Sequence, residues 1–251
     1  MEGCKPVSTP YEVGRKFRKM SKDDSPFDVS QYQQAIGCLT YAATTTRPDI
    51  AAAVGILSQF MSTPSLDHWM GVKRILRYIK GSLNYGLRFY AGDNSKDGLI
   101  GYTDADWAGD LDTRRSTSGY AFFIGNSVIS WLSKRQITVA KSSTEAEYVA
   151  LSCATQEAIW LRRLLDDIHF GDESPTVIYE DNQGAIELSK RDHSRVKHID
   201  IARERVASGE INVEYCPTEQ MIADIMTKPL PRDKFENFRL LLGVTDTRVT
   251  Q

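Results

Sequence analysis

The sequence predicts an α/β fold built on a mixed sheet, three antiparallel strands followed by parallel ones, flanked by helices and preceded by a small helical region. Three observations predict it. Three short β-rich runs, "LIGYTDAD", "SGYAFFI" and "SVISWLS", follow one another, and Gly125-Asn126 between the last two is a two-residue hairpin signal. A long helical run, "SSTEAEYVALSCATQEAIWLRRLLDDI", comes next, with Tyr148, Leu151, Ala154, Ala158, Leu161, Leu165 and Ile168 at helical spacing. Two strand-then-helix units then close the pattern, "TVIYEDNQGAI" and "INVEYCP" leading into "TEQMIADIMTK". An antiparallel meander followed by crossover units requires both pairing modes in one sheet.

In chain order, residues 1–30 carry a basic run (Arg15, Lys16, Arg18, Lys19, Lys22) with few apolar residues between, the pattern of a flexible basic arm. Residues 31–97 read as a helical segment. Within it Pro48 opens a helix with Ile50, Ala53, Val54, Leu57, Phe60 and Met61 on one face, stopped by Pro64. Ser65 is the candidate N-cap of a second helix, with Trp69, Val72, Leu76 and Ile79 on one side and an end near Gly81. Its other faces hold Lys73, Arg74, Arg77 and Lys80, a basic surface that is either simply solvated or in contact with phosphates. The turn-rich stretch "AGDNSKDG" at 91–98 is the candidate boundary to a third segment, 98–243, and residues 244–251 read as a tail.

The chain has 251 residues, with 41% hydrophobic and 25% charged residues, and can bury a substantial core. Its net charge of −2 hides an asymmetry: residues 1–97 hold 13 Lys and Arg against 9 Asp and Glu, the remainder 18 against 24. Four cysteines lie far apart, with neither metal-ligand spacing nor a disulfide framework, so a reducing, intracellular setting is the expectation. No run is apolar enough to cross a membrane, and the first ten residues lack the features of a signal peptide.

Acidic residues stand where such a fold would let them converge. Asp104 and Asp106 end the first strand of the meander, able to point the same way because strand faces alternate with period two. An isolated pair of this kind is as well explained by the turn that follows. Asp181 ends the fourth strand at its carboxyl edge, where open sheets place their sites. Near the start of the long helix, Glu145 and Glu147 lie about 200° apart, and Glu147 adjoins the apolar face. Thr144 as N-cap with Glu147 three residues on is the competing reading, a capping box. Asp224 lies among Met221, Ile222, Ile225 and Met226; buried, it needs a partner, and exposed, it is an ordinary helix residue. Four carboxylates in one cleft repel one another unless divalent cations neutralise them, and oxygen-only ligands suit Mg²⁺ or Mn²⁺.

The wording around these residues resembles a known family. Asp104 in "YTDAD", Glu147 in "SSTEAEY", Asp181 in "YEDNQ" and Asp224 in "MIADIMTK" resemble the Asp-Glu-Asp-Asp set of ribonuclease H. With "RRSTSGYAFFIG", "ISWLSKRQ" and "KHIDI", the stretch from about Ile100 to Leu242 is similar to the ribonuclease H domain of copia-type retrotransposon Pol polyproteins. Upstream, "TRPDIAAAVGILSQFMSTPSLDHWMGVKRILRYIKG" resembles the segment that joins reverse transcriptase to ribonuclease H in those polyproteins. A Tyr-x-Asp-Asp polymerase motif is absent, so no DNA synthesis by this chain alone is expected.

The resemblance implies a ribonuclease H-like fold and endonucleolytic hydrolysis of the RNA strand of RNA–DNA hybrids. Asp104, Glu147, Asp181 and Asp224 would be both the catalytic residues and the ligands of two Mg²⁺ ions, Mn²⁺ being the other candidate. Ser142, Ser143 and Gln183 are candidates for contacts to the hybrid, and Lys73, Arg77 and Lys80 for contacts to its phosphates, although either serine serves equally as a helix cap. The implied partners are the hybrid and a reverse transcriptase polymerase domain, with no membrane. One departure is that "VEYCPTEQMIAD" has no histidine on the loop before the last Asp; His193 and His198, further upstream, are either substitutes or solvated loop residues. A basic protrusion after the fourth strand is also missing. Two other functions stay open: a catalytically inactive retroelement remnant acting at most as a nucleic-acid-binding module, and an integrase-like nuclease. The second would need a Glu, not Asp224, on its late helix.

Overall fold

A computed structural model describes residues 1, 3–89, 98–171, 173–191 and 200–248. His193, His198 and all of 91–98 except Gly98 lie outside the described residues. By its contacts the chain divides into two compact units: Met1–Arg88 with Asp110–Arg114 and Lys228–Gln251, and Phe89–Gly109 with Arg115–Thr227.

The first unit begins with helix α1 (Val29–Thr45), capped by the Asp28 carboxylate, which accepts from Gln31 N. A 3-10 turn, Pro48–Ile50, leads into α2 (Ala51–Ser58), so the helix expected from Pro48 is shorter than its apolar pattern. Phe60 and Met61 follow in turns bonded three residues back, and Met61 is exposed. Helix α3 (Leu66–Gly81) starts at Ser65 as expected, with His68 completing a capping box. The short strand β1 (Tyr85–Leu87) ends this part of the unit.

Within residues 1–30, read from sequence as a flexible arm, several described residues lie against α3. Tyr11 and Phe17 are buried, Phe17 packs on Phe60 and His68, and Phe27 stacks on Trp69. These aromatics supply apolar area that the surrounding basic run conceals in a composition reading.

In the second unit, β2 (Leu99–Asp106), β3 (Thr117–Ile124) and β4 (Ser127–Arg135) form the meander, turning at Gly125-Asn126 with Gly125 at φ +57°. Helix α4 (Ser143–Asp167) crosses to β5 (Thr176–Glu180), followed by α5 (Gln183–Ser189), α6 (Asp200–Ala207), β6 (Ile211–Tyr215) and α7 (Asp224–Thr227). The sheet order is β4-β3-β2-β5-β6; β5 pairs parallel with both β2 and β6, and the other pairs are antiparallel. This is the expected mixed sheet.

The core lies between α4 and one sheet face, where Leu151, Ala154, Ala158 and Leu161 meet Phe122, Ile178, Ile211 and Val213. Ile168, expected to extend that helical stripe, falls one residue beyond α4 and is exposed. Helix α7 packs on β2, β3 and β4. The chain then returns to the first unit with α8 (Arg232–Leu241) and β7 (Val244–Asp246), the latter antiparallel to β1. The last part of the segment expected as 98–243 thus belongs to the unit that holds the N-terminal helices.

Glycine 119 lets α7 approach the sheet: a Cβ there would stand 2.6 Å from Met226 Cβ and 2.7 Å from Thr227 Cγ2. We therefore expect Gly119→Ala to lower stability by roughly 1–3 kcal/mol through overpacking, measured by urea denaturation. An unchanged midpoint would mean that α7 moves away without loss.

Candidate metal centre

The parallel register places the site. Tyr102 is opposite Tyr179, and two positions further along each strand stand Asp104 and Asp181. Carboxylate oxygens of Asp104, Glu147 and Asp181 all lie within 4.8 Å of one another. Asp104 and Glu147 are buried and Asp181 half-buried. Asp104 accepts from Thr227 Oγ1, and Asp181 from Thr218 Oγ1 at 2.8 Å.

Glu147 owes its position to a cap other than the expected one. Ser142, not Thr144, caps α4, accepting from Glu145 N at 3.1 Å, while Glu145 accepts from Lys141 N. The capping-box reading of Glu147 is thereby corrected: with the cap two residues earlier, Glu147 falls on the buried side of the first turns. Asp106 also parts company with Asp104. It accepts from Thr117 N and folds against the turn at Gly109, the employment ordinary for an Asp at a strand end.

Asp224 is buried at the first position of α7 and is not one of the three clustered residues. It shares their surroundings, since Thr227 of the same helix bonds both to Asp104 and to the Asp224 carbonyl. The Cys216 thiol is pushed up by burial and then by the charges of Asp181 and Asp224. Ser143 and Gln183 are exposed at the starts of α4 and α5. On α3, Lys73 is half-buried, while Arg77 Nε donates to Lys5 O at 2.8 Å and Lys80 Nζ to Cys4 O at 3.1 Å.

Two residues that the sequence reading passed over belong to the site. Glu180 is fully buried; its Oε1 accepts from Asn182 N, and its Oε2 has no hydrogen-bond partner among the described residues. Burial, then the charge of Glu147, and further Asp104 and Asp181, hold it well above the ordinary carboxylate range. The alternation of "TVIYE" carried the signal, because it puts Glu180 on the face of the core residue Ile178. Thr227, the second, is buried beside Asp104, and no pattern in one sequence distinguishes it.

No family model matches the chain. Over 97% of its length it is 43% identical to the retrovirus-related Pol polyprotein from transposon TNT 1-94 of Nicotiana tabacum, and over 96% it is 42% identical to that from transposon RE2 of Arabidopsis thaliana. The chain belongs to the Pol polyproteins of copia-type retrotransposons. This Pol chain spans 19% and 17% of those two relatives, about a fifth of their length. The secreted RxLR effector protein 161 of Plasmopara viticola is 56% identical over 130 residues, 52% of this chain and 90% of that protein. The second unit is the five-stranded mixed sheet with its flanking helices. Among solved structures, LC11-RNase H1 isolated from compost aligns over 56% of this chain and 97% of its own, with TM-score 0.39 and 14% identity.

The raised Glu180 has a consequence for stability. It binds its proton more tightly folded than unfolded, so its contribution is present below its ordinary value of 4.5 and is lost as pH rises toward the folded value. In EDTA, Glu180→Gln is expected to flatten the fall in stability above pH about 4.5 and to raise Tm near neutrality, by about 2–4 °C per kcal/mol gained. Parallel Tm-against-pH curves for the two proteins would refute the assignment.

Proposed function

We propose that the chain is a metal-dependent endoribonuclease of ribonuclease H type, cutting the RNA strand of RNA–DNA hybrids. The observation that carries this reading is the meeting of Asp104, Glu147 and Asp181 within 4.8 Å. The donor set fits a divalent cation, since it is oxygen only, and the upward shift of Glu180, caused first by burial, comes also from negative charge of Glu147, Asp104 and Asp181 that such an ion would offset. Asp104, Glu147 and Asp181 would hold Mg²⁺ or Mn²⁺, with Asp224 completing the set for a second ion. Held there, such ions would supply an activated water and a stabilised leaving oxygen for a phosphodiester.

The chain's own groups fix the geometry. Thr227 orients Asp104 and Thr218 orients Asp181, each by donating a hydroxyl hydrogen and leaving other lone pairs for a ligand. Ser143 and Gln183, exposed at two helix starts, and Ser142 beside them would meet the hybrid, where 2′-hydroxyls distinguish RNA from DNA. Lys73, with the donors that Arg77 and Lys80 do not spend on residues 4 and 5, would contact phosphates. The protein partner fitting this reading is the polymerase domain of a reverse transcriptase.

With a hybrid labelled on the RNA strand, cleavage should occur in Mg²⁺, stop in EDTA, and fall about hundredfold or more in Asp181→Asn. Cleavage untouched by Asp181→Asn would sink the site assignment. A folded protein that binds hybrid in Mg²⁺ without cutting it would favour the inactive module. Thr227→Val should weaken Mn²⁺ binding about 10–100-fold by calorimetry, a readout independent of turnover.

A further inference from the structure

A cavity of about 550 Å³ lies wholly within the first unit, where residues 6–8 pass across α3 and α8. Arg74, Arg232 and Arg239 line it, and Glu236 is the one carboxylate in its wall. Only Arg232 is satisfied by that carboxylate, Nε to Oε1 at 2.9 Å. The other two guanidinium groups meet hydroxyls at hydrogen-bond distance: Arg74 donates to Thr9 Oγ1 at 3.1 Å and Arg239 to Tyr78 Oη at 3.5 Å. Glu12 stands 3.8 Å from Arg74. The Nε atoms of Arg74 and Arg239 are buried with no acceptor among the described residues.

Arg239 is held in place by a buried network. Arg47 and Asp49 form a buried pair, doubly bonded through Nε and Nη2 to the two carboxylate oxygens. Asp49 accepts from the Tyr78 hydroxyl, which leaves the oxygen of Tyr78 to accept from Arg239. Arg239 also lies over the Tyr85 ring, 4.6 Å from its centroid. Ser82 donates to Tyr78 O and accepts from Arg47. Its hydroxyl and that of Tyr78 are therefore spent, and the charged donors left to a ligand are guanidinium N–H groups, beside the hydroxyls of Ser8 and Tyr85 in the wall. Burial lowers the Arg74 pKa, the charge of Glu12 opposes it, and Arg77 and Arg15 add to the lowering.

We propose that this cavity binds a phosphate group carried on a nucleotide-sized ligand. Guanidinium forks match the paired oxygens of a phosphate, and a partly enclosed site of this size admits more than a bare ion. The site lies apart in sequence from the four carboxylates and does not depend on their assignment. Its ligand is either a free phosphorylated small molecule or one phosphate of a nucleic-acid strand.

The test is calorimetric titration of the whole chain with inorganic pyrophosphate in EDTA, so that no ion bridges it to Asp104 or Asp181. A short single-stranded oligonucleotide serves as competitor. Saturable one-to-one binding is expected, weakened roughly tenfold or more in Arg74→Gln with Arg239→Gln. Ser8→Asp, which brings a carboxylate to the wall without removing an arginine, should weaken it too. Displacement of pyrophosphate by the oligonucleotide assigns the site to a strand, and its absence assigns it to a small ligand. Pyrophosphate that fails to bind the folded wild type at millimolar concentration, or binds all variants equally, overturns the proposal.

Discussion

Crowding of like charge at the carboxyl ends of β2 and β5 is the constraint around which the second unit is arranged. Parallel pairing brings Asp104 and Asp181 side by side, α4 adds Glu147, and the strand's own alternation adds Glu180 on the buried side. Left ionised and unpaired, such groups would cost several kcal/mol each to bury. The fold answers in part by hydrogen bonding, through Thr227, Thr218 and the Asn182 amide, and in part by raising the pKa of the buried Glu180. What remains is an oxygen-lined site whose electrostatics favour a cation.

Much of this was legible in the residues. The meander, its Gly125-Asn126 turn and the span Leu99–Asp106 follow directly from alternation and turn chemistry, because those rules act over two to four residues. Asp104 and Asp181 were legible for the same reason, as strand ends. Glu147 was legible only as one of two roles, and a cap two residues earlier decided between them. Thr227 depends on α7 settling onto β3 at Gly119, a contact between residues more than a hundred positions apart, which no local pattern encodes.

The first unit was harder to read. A basic N-terminal stretch suggested solvent, whereas Tyr11 and Phe17 pack inward and the cations of α3 hold its carbonyls. Charge density is a poor guide where long side chains cover apolar surface with their stems and bond with their tips. Nor does periodicity reveal that α8 and β7, after the whole five-stranded unit, return to the unit of α1 to α3.

That return sets an order of events during synthesis. Every strand of the five-stranded sheet, and helix α7, has been made once Thr227 is added, so the second unit has all its parts while the last turns of chain are still to come. The first unit must wait for Val244–Asp246 to pair with Tyr85–Leu87, although its helices precede the five-stranded sheet along the chain. A growing chain therefore holds α1 to α3 without their later partner until the five-stranded unit is complete. Loss of α8 and β7 would unsettle the unit of α1 to α3 rather than the five-stranded sheet.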